Sequence, residues 1–85
     1  MPHRCPFPGC HADVSNAQLL CRAHWKRVPV SHQTAVWAAW RARQAARKVW
    51  EASRSKVDLA ALGRASKAHQ EACRAAVAAA AEAAG

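Results

Sequence analysis

From Ser31 onward, apolar and cationic positions recur with a helical period and not with the alternation of a strand. Between His32 and about Arg54 no residue breaks a helix, and Ala, Arg, Gln and Lys dominate. At 3.6 residues per turn Ala35, Val36, Ala39, Trp40, Ala46 and Trp50 fall along one side. The tryptophans of that stripe are read as core, filling space that alanines leave. Trp37 falls off the stripe, placed to cover the N-terminal segment against Trp25. Ser31 is read as the N-cap, with Pro29 two residues ahead of it.

Ser53 to Val57 makes a turn, and Asp58 is read as the cap of a second long helix from Leu59 to about Ala84. Its stripe is Leu59, Leu62, Ser66, His69, Cys73, Ala76, Val77 and Ala80, with Arg64, Lys67, Glu71, Arg74 and Glu82 opposite. Glu71 and Arg74, three apart, are spaced to support the helix. Gly63 costs about 1 kcal/mol relative to Ala and marks either a break or a close helix approach. His69 and Cys73 have the i, i+4 spacing of helical metal ligands, yet lie in the apolar stripe and are read as packing groups. Small residues facing the first helix let the two backbones approach, giving an antiparallel helical hairpin.

The first thirty residues have no such period. They carry Cys-x4-Cys-x10-Cys-x2-His: Cys5, Cys10, Cys21 and His24. Three thiolates and an imidazole are the donor set that a tetrahedral structural zinc prefers. Pro6, Pro8 and Gly9 lie between the first two cysteines, where a metal-gripping turn needs fixed φ and one permissive residue. Cys21 and His24 at i, i+3 aim at one ion from a single helical turn. His3 and His11 are poorer candidates by spacing. Asp13, Ser15 and Asn16 mark a short hairpin within residues 12–18. Leu19 to Val28 reads as a short helix stopped by Pro29. A knuckle, a hairpin and a helix bearing the last two ligands is a treble-clef-like order. The four-residue gap between Cys5 and Cys10 is wider than the usual two.

The expected architecture is therefore mainly α: a zinc module over residues 1–30 and a helical hairpin over 31–85, packed as one small domain. At 85 residues, with four Trp, one Phe and one Met, large apolar side chains are scarce. One structural Zn²⁺, whose binding free energy doubles as folding free energy, fits that shortage. No apolar run is long enough to span a bilayer and no signal peptide stands at Met1, so a cytoplasmic location is expected. Reduced thiols there favour metal over a disulfide framework, which an exported chain would use instead.

Charge adds a direction. The formal net charge is +8, and Arg22, Lys26, Arg27, Arg41, Arg43, Arg47, Lys48, Arg54 and Lys56 stand against Glu51 alone between residues 22 and 56. Such a field attracts nucleic acid or acidic protein surfaces. The plainer alternative is an Arg-rich surface inherited from GC-rich coding, serving solubility.

The Cys-Pro-x-Pro-Gly-Cys opening, Leu-Cys-x-x-His-Trp at 20–25, Arg27-Val28-Pro29 and Ala35-Val36-Trp37-Ala38-Ala39-Trp40-Arg41 resemble a family of small zinc-finger-like proteins. That family is encoded by phages and prophages, especially of actinobacteria and other high-GC bacteria. The resemblance covers about residues 4 to 41. It implies zinc ligation by Cys5, Cys10, Cys21 and His24 and a place in the cytoplasm of a bacterial host, and it supplies no activity.

An enzyme is not expected. Four good ligands close a tetrahedron that a catalytic zinc would leave open. The deaminase His-x-Glu with Pro-Cys-x-x-Cys is absent, and His11, Asn16 and His32 offer the residue types of a His-Asn-His nuclease without its spacing. Two binding readings remain. In the first, Arg22, Lys26, Arg27, Arg41, Arg43, Arg47 and Lys48 contact phosphates of DNA or RNA without sequence preference. Trp40 and Trp50 beside Arg43 and Arg47 would add stacking on single strands. In the second, an adaptor or inhibitor docks on a host or phage protein through Trp37 and the hairpin. The Ala-rich face is also suited to pairing two copies into a homodimer.

Overall fold

The structure is a computed structural model that describes residues 3–15 and 18–84. Asn16, which the sequence assigns to a turn and to the His-Asn-His residue types, lies outside them. The fold is mainly helical: β1 (His3–Arg4), β2 (Asp13–Val14), the short α1 (Arg22–Trp25), then α2 (Val30–Ser53) and α3 (Lys56–Ala84). The two long helices pack as the expected hairpin. At about 1.5 Å per residue the 29 residues of α3 run about 44 Å, which matches the 45 Å long axis of the molecule. The thinnest extent is 14 Å, so the hairpin is a single layer with water on both faces. Among the described residues no helix is long and apolar enough to cross a membrane.

The short hairpin is not where the sequence suggested. β1 and β2 are antiparallel, with His3 opposite Val14 and Arg4 opposite Asp13, so the strands enclose the Cys5–Cys10 loop instead of following it. The reason lies in that loop. Pro8 and Gly9 occupy the central positions of a turn closed by the Cys10 N–H donating to Phe7 O at 3.0 Å, with Gly9 at φ 81°, the geometry of a type II turn. The Cys5 N–H then donates to Ala12 O at 2.8 Å and continues the ladder. Ser15 and Gln18 are joined directly, the Gln18 N–H donating to Ser15 O at 3.0 Å and the Ser15 hydroxyl to Gln18 Oε1 at 3.2 Å.

Helix α1 is four residues long, shorter than the span 19–28 expected for it. Its end tightens into i→i+3 bonds, Arg27 N–H to His24 O and Val28 N–H to Trp25 O. The N-cap of α2 is Pro29, not Ser31: the N–H groups of His32 and Gln33 both donate to Pro29 O, with no side-chain cap. Proline's fixed φ pre-sets the entry to the helix, so the hydroxyl is not needed. The Gln33 amide donates to Trp25 O at 3.0 Å and ties α2 to α1.

Helix α3 starts at Lys56, three residues before the expected Leu59, because the cap is Ser55 and not Asp58. The Asp58 N–H donates to Ser55 Oγ at 3.1 Å, and the Ser55 hydroxyl donates to Asp58 Oδ2 at 3.0 Å. The Ser-x-x-Asp spacing of a capping box was present in the sequence at 55–58. Ser53 also donates its hydroxyl to Asp58. Arg54, between the helices, takes the left-handed conformation (φ 55°) as C-cap of α2 and lays its guanidinium 4.4 Å from the Trp50 ring.

The buried core is small and sits at one end: Cys5, Val14, Leu20, Val28, Val36, Ala76 and Ala80. It joins the N-terminal region to the start of α2 and the end of α3. No tryptophan belongs to it, contrary to the core reading of the stripe. Trp37 and Trp40 are 47% and 41% exposed, and Trp25 and Trp50 are half-buried. The alanines of α3 leave too thin a seam for an indole, so the rings are displaced to the flanks. His69 and Cys73 are likewise half-buried. Glu71 and Arg74 form no ion pair; Arg47–Glu51 at 3.3 Å is the one ion pair among the described residues.

Gly63 marks neither a break nor a close approach. Helix α3 runs through it, and a Cβ there would meet nothing within 4 Å. Gly63→Ala should therefore stabilise the protein by about 1 kcal/mol, read as a rise of several degrees in thermal midpoint; no rise would show that the packing at this turn is tighter than described. At the Ser55 cap, the Ser53 and Ser55 hydroxyls hold the Asp58 carboxyl below its ordinary 3.8. A depressed carboxyl contributes stability above its unfolded value and loses it as pH falls through the folded one. Ser55→Ala should cost about 1 kcal/mol at neutral pH and less at pH 3, as read by urea titration at the two pH values.

Candidate metal centre

The turn at Pro8-Gly9 and the first turn of α1 bring four side chains to one point. One donor atom from each of Cys5, Cys10, Cys21 and His24 lies within 4.8 Å of all the others. His24 Nδ1 is 3.1 Å from Cys21 Sγ and 3.7 Å from Cys5 Sγ, and Cys10 Sγ is 4.0 Å from Cys21 Sγ. A tetrahedral ion with about 2.3 Å bonds to sulfur and about 2.0 Å to nitrogen requires edges of about 3.5–3.8 Å. The three separations, 3.1–4.0 Å, bracket those edges. All four cysteines of the chain are free, and the 4.0 Å sulfur separation is about twice a disulfide bond.

The supports around the donors belong to the same local sequence. The Cys21 N–H donates to Cys5 Sγ at 3.3 Å, made available because Cys21 is the extended N-cap residue of α1 (ψ 160°). The Phe7 ring stacks on the His24 imidazole, centroids 3.9 Å apart and planes within 3°. The Arg27 guanidinium covers Phe7 at 5.9 Å. This Arg27–Phe7–His24 stack fixes the imidazole plane. No sequence rule pointed to it, although Phe7 is the chain's single phenylalanine.

The thiols are not equivalent. Burial opposes ionisation of Cys5, but the backbone N–H groups of Cys21 and Phe7, helped by His24 and Cys10, bring its pKa down to about 7. Around Cys10 a backbone hydrogen bond at Ala12 favours the thiolate, but partial burial and the sulfurs of Cys5 and Cys21 outweigh it and push the pKa up. Crowded thiols of this kind ionise together when a cation sits among them. Among the described residues no other cluster of three or more His, Cys, Asp or Glu side chains is placed to hold a metal. His3 and His11 are outside it. His69 Nε2 and Cys73 Sγ are 3.5 Å apart but gain no third ligand.

The seven cations singled out in the sequence, Arg22, Lys26, Arg27, Arg41, Arg43, Arg47 and Lys48, are all exposed. They do not form one face. At about 100° per residue, Arg41 and Lys48 project together from α2, while Arg43 and Arg47 project together more than about 100° away. Arg43 is turned toward α3, where its charge acts on His69 and Cys73: burial first and then Arg43 lower the His69 pKa, whereas burial raises that of Cys73 against Arg43. Arg47 is partly neutralised by Glu51. Trp37 lies edge-on to both Trp25 (6.3 Å) and Trp40 (6.0 Å), so it meets the N-terminal region through Trp25.

No protein-family model, curated protein or solved structure matches the chain.

The cluster implies one metal ion per chain. Native mass spectrometry should show one bound divalent ion, lost with a strong chelator, together with a large drop in thermal midpoint because Cys5 and Leu20 belong to the core. Cys10→Ser should act like the chelator and His11→Ala should change nothing. A chain equally stable with and without chelator would remove the structural role.

Proposed function

We propose that the protein is a small zinc-stabilised binding protein that contacts nucleic acid through backbone phosphates, without strong sequence preference and without catalysis. Zinc is favoured by the donor set, three sulfurs and one imidazole nitrogen within 4.8 Å of one another. Four protein ligands leave no open position, so the ion would supply rigidity and hold Cys5, Cys10, Cys21 and His24 in place. A phage or prophage origin, in the cytoplasm of a high-GC bacterium, goes with the resemblance of residues 4 to 41 and with reduced thiols.

The observation that carries the nucleic-acid reading is the separation of charges. Arg22, Lys26, Arg27, Arg41, Arg43, Arg47 and Lys48 all reach solvent, with Glu51 the sole acid from residue 22 to residue 56. A recognition helix for a major groove is not proposed, because the cations point in two directions from α2. That distribution suits a flexible strand wrapped around the helix better than a rigid duplex on one side of it.

A second reading, a protein partner or a second copy, has its own observation. The accessible surface is 5923 Å², against about 4,900 Å² for a compact monomer of 9.2 kDa. The excess is comparable to one side of a standard interface, about 800 Å². Val49, Val57 and Leu59, which flank the α2–α3 turn, are 53%, 76% and 48% exposed. In this reading a host or phage protein, or a second hairpin, covers that surface.

Binding to labelled single-stranded DNA and RNA across a salt series separates the two. Each phosphate contact on a single strand contributes about −0.7 to the slope of log K against log salt. Replacing Arg41, Arg43, Arg47 and Lys48 by Ala should therefore flatten the slope by about 3. Absence of binding at low salt would leave the protein-partner reading.

A further inference from the structure

A cleft of about 420 Å³ opens between the metal-binding region and the helical hairpin. Its walls carry the rings of Trp25, Trp37 and Trp40, with Arg22 from α1 and Arg43 from α2 at its border and His69 from α3. We infer that this cleft takes an unpaired nucleobase of a single strand, stacked on indole, with Arg22 and Arg43 engaging the adjoining phosphates. This rests on the nucleic-acid reading above and adds where, and by what contact, a base is held.

Four observations carry it. The three indoles form a chain of edge-to-face pairs, Trp25–Trp37 at 84° and Trp37–Trp40 at 85°, so they stack on none of one another. Trp37 and Trp40 remain 47% and 41% exposed, an unusual cost for large aromatic surface in a chain so short of core. No aspartate or glutamate lines the cleft, and neither Arg22 nor Arg43 has an acidic partner among the described residues. The ligand is therefore both flat and anionic, since the apolar walls suit an aromatic ring and the border suits negative charge. The volume lies toward the small end of ligand pockets, which suits one or two nucleotides. Bases inside a duplex have both faces covered by their neighbours, so only an unpaired base can enter. Burial and the Arg43 charge also lower the His69 pKa, which favours the neutral ring that can donate or accept a hydrogen bond at a base edge.

The test uses the metal-loaded full chain and four probes at one salt concentration: an oligothymidylate of about ten nucleotides, an abasic strand with the same phosphates, the matching duplex, and thymidine monophosphate. Stacking on aromatic side chains changes affinity by roughly tenfold or more per base. The oligothymidylate should bind at least about tenfold tighter than the abasic strand and quench tryptophan fluorescence. Trp40→Ala and Trp37→Ala should abolish that margin while leaving abasic binding unchanged. His11→Ala, exposed and outside the cleft, should keep it. Because both mutated rings are exposed, metal content and helical circular dichroism should be unaltered, and Trp40→Phe should restore part of the margin; a Trp variant that loses metal is replaced by Arg22→Ala with Arg43→Ala, expected to weaken every probe. Equal affinity for thymidylate and abasic strands overturns the cleft while leaving the polyanion reading intact. Binding of neither overturns both. Duplex binding as tight as the single strand, or monophosphate binding as tight as the oligomer, also overturns it, the latter in favour of a free nucleotide. Displacement of the strand only by an acidic aromatic peptide, with no base dependence, assigns the cleft to a protein partner instead.

Discussion

The structure depends on four side chains converging across 19 residues of sequence, from Cys5 to His24. Several local interactions of the N-terminal region deliver a donor to this point or orient one. The type II turn at Pro8-Gly9 places Cys10, and the Cys21 N–H joins the start of α1 to the Cys5 sulfur. Stacking by Phe7 and Arg27 holds the imidazole. Without a cation, mutually crowded thiols resist joint ionisation. With one, the same crowding becomes a preorganised shell.

The helical part explains why such a staple is needed. Two long helices lie in one layer, and their shared seam is lined largely by alanine, which removes little apolar area from water per residue. Among the described residues Leu20 is the one large side chain fully buried, and it comes from the metal-binding region and not from the hairpin. A metal held by the cluster would therefore be coupled to helix packing through the shared core of Cys5, Leu20, Val28, Val36, Ala76 and Ala80. The far end of the hairpin lies outside that core. It relies on the Ser55–Asp58 cap and on Arg54, held in the left-handed region against Trp50.

A seam of small residues also shapes the surface. Helices that approach over alanine exclude indoles, so the mass of the tryptophans goes to the flank nearest the metal-binding region. There they meet Trp25 and two arginines and enclose a cleft. Scarcity of core and abundance of exposed aromatic surface are thus two consequences of one packing choice.

By itself the sequence determined the elements whose cause is local. The donor set and its spacing, the two long helices and the polar face of α3 follow from ligand chemistry and from the helical period, and the structure has them. Several local signals were also legible but competed. Pro29 capped α2 in place of Ser31, and the Ser-x-x-Asp box moved the start of α3 three residues earlier. Tertiary structure alone decided what depends on distant surfaces. Periodicity gives the direction of Trp40 but not the width of the seam it faces, so an indole on the apolar side was displaced outward. Likewise the cations of residues 22–48 are adjacent in sequence, yet helical geometry sends them two ways. The pairing of β1 with β2 around the first cysteine loop uses strands of two residues each, too short for alternation to show in the sequence.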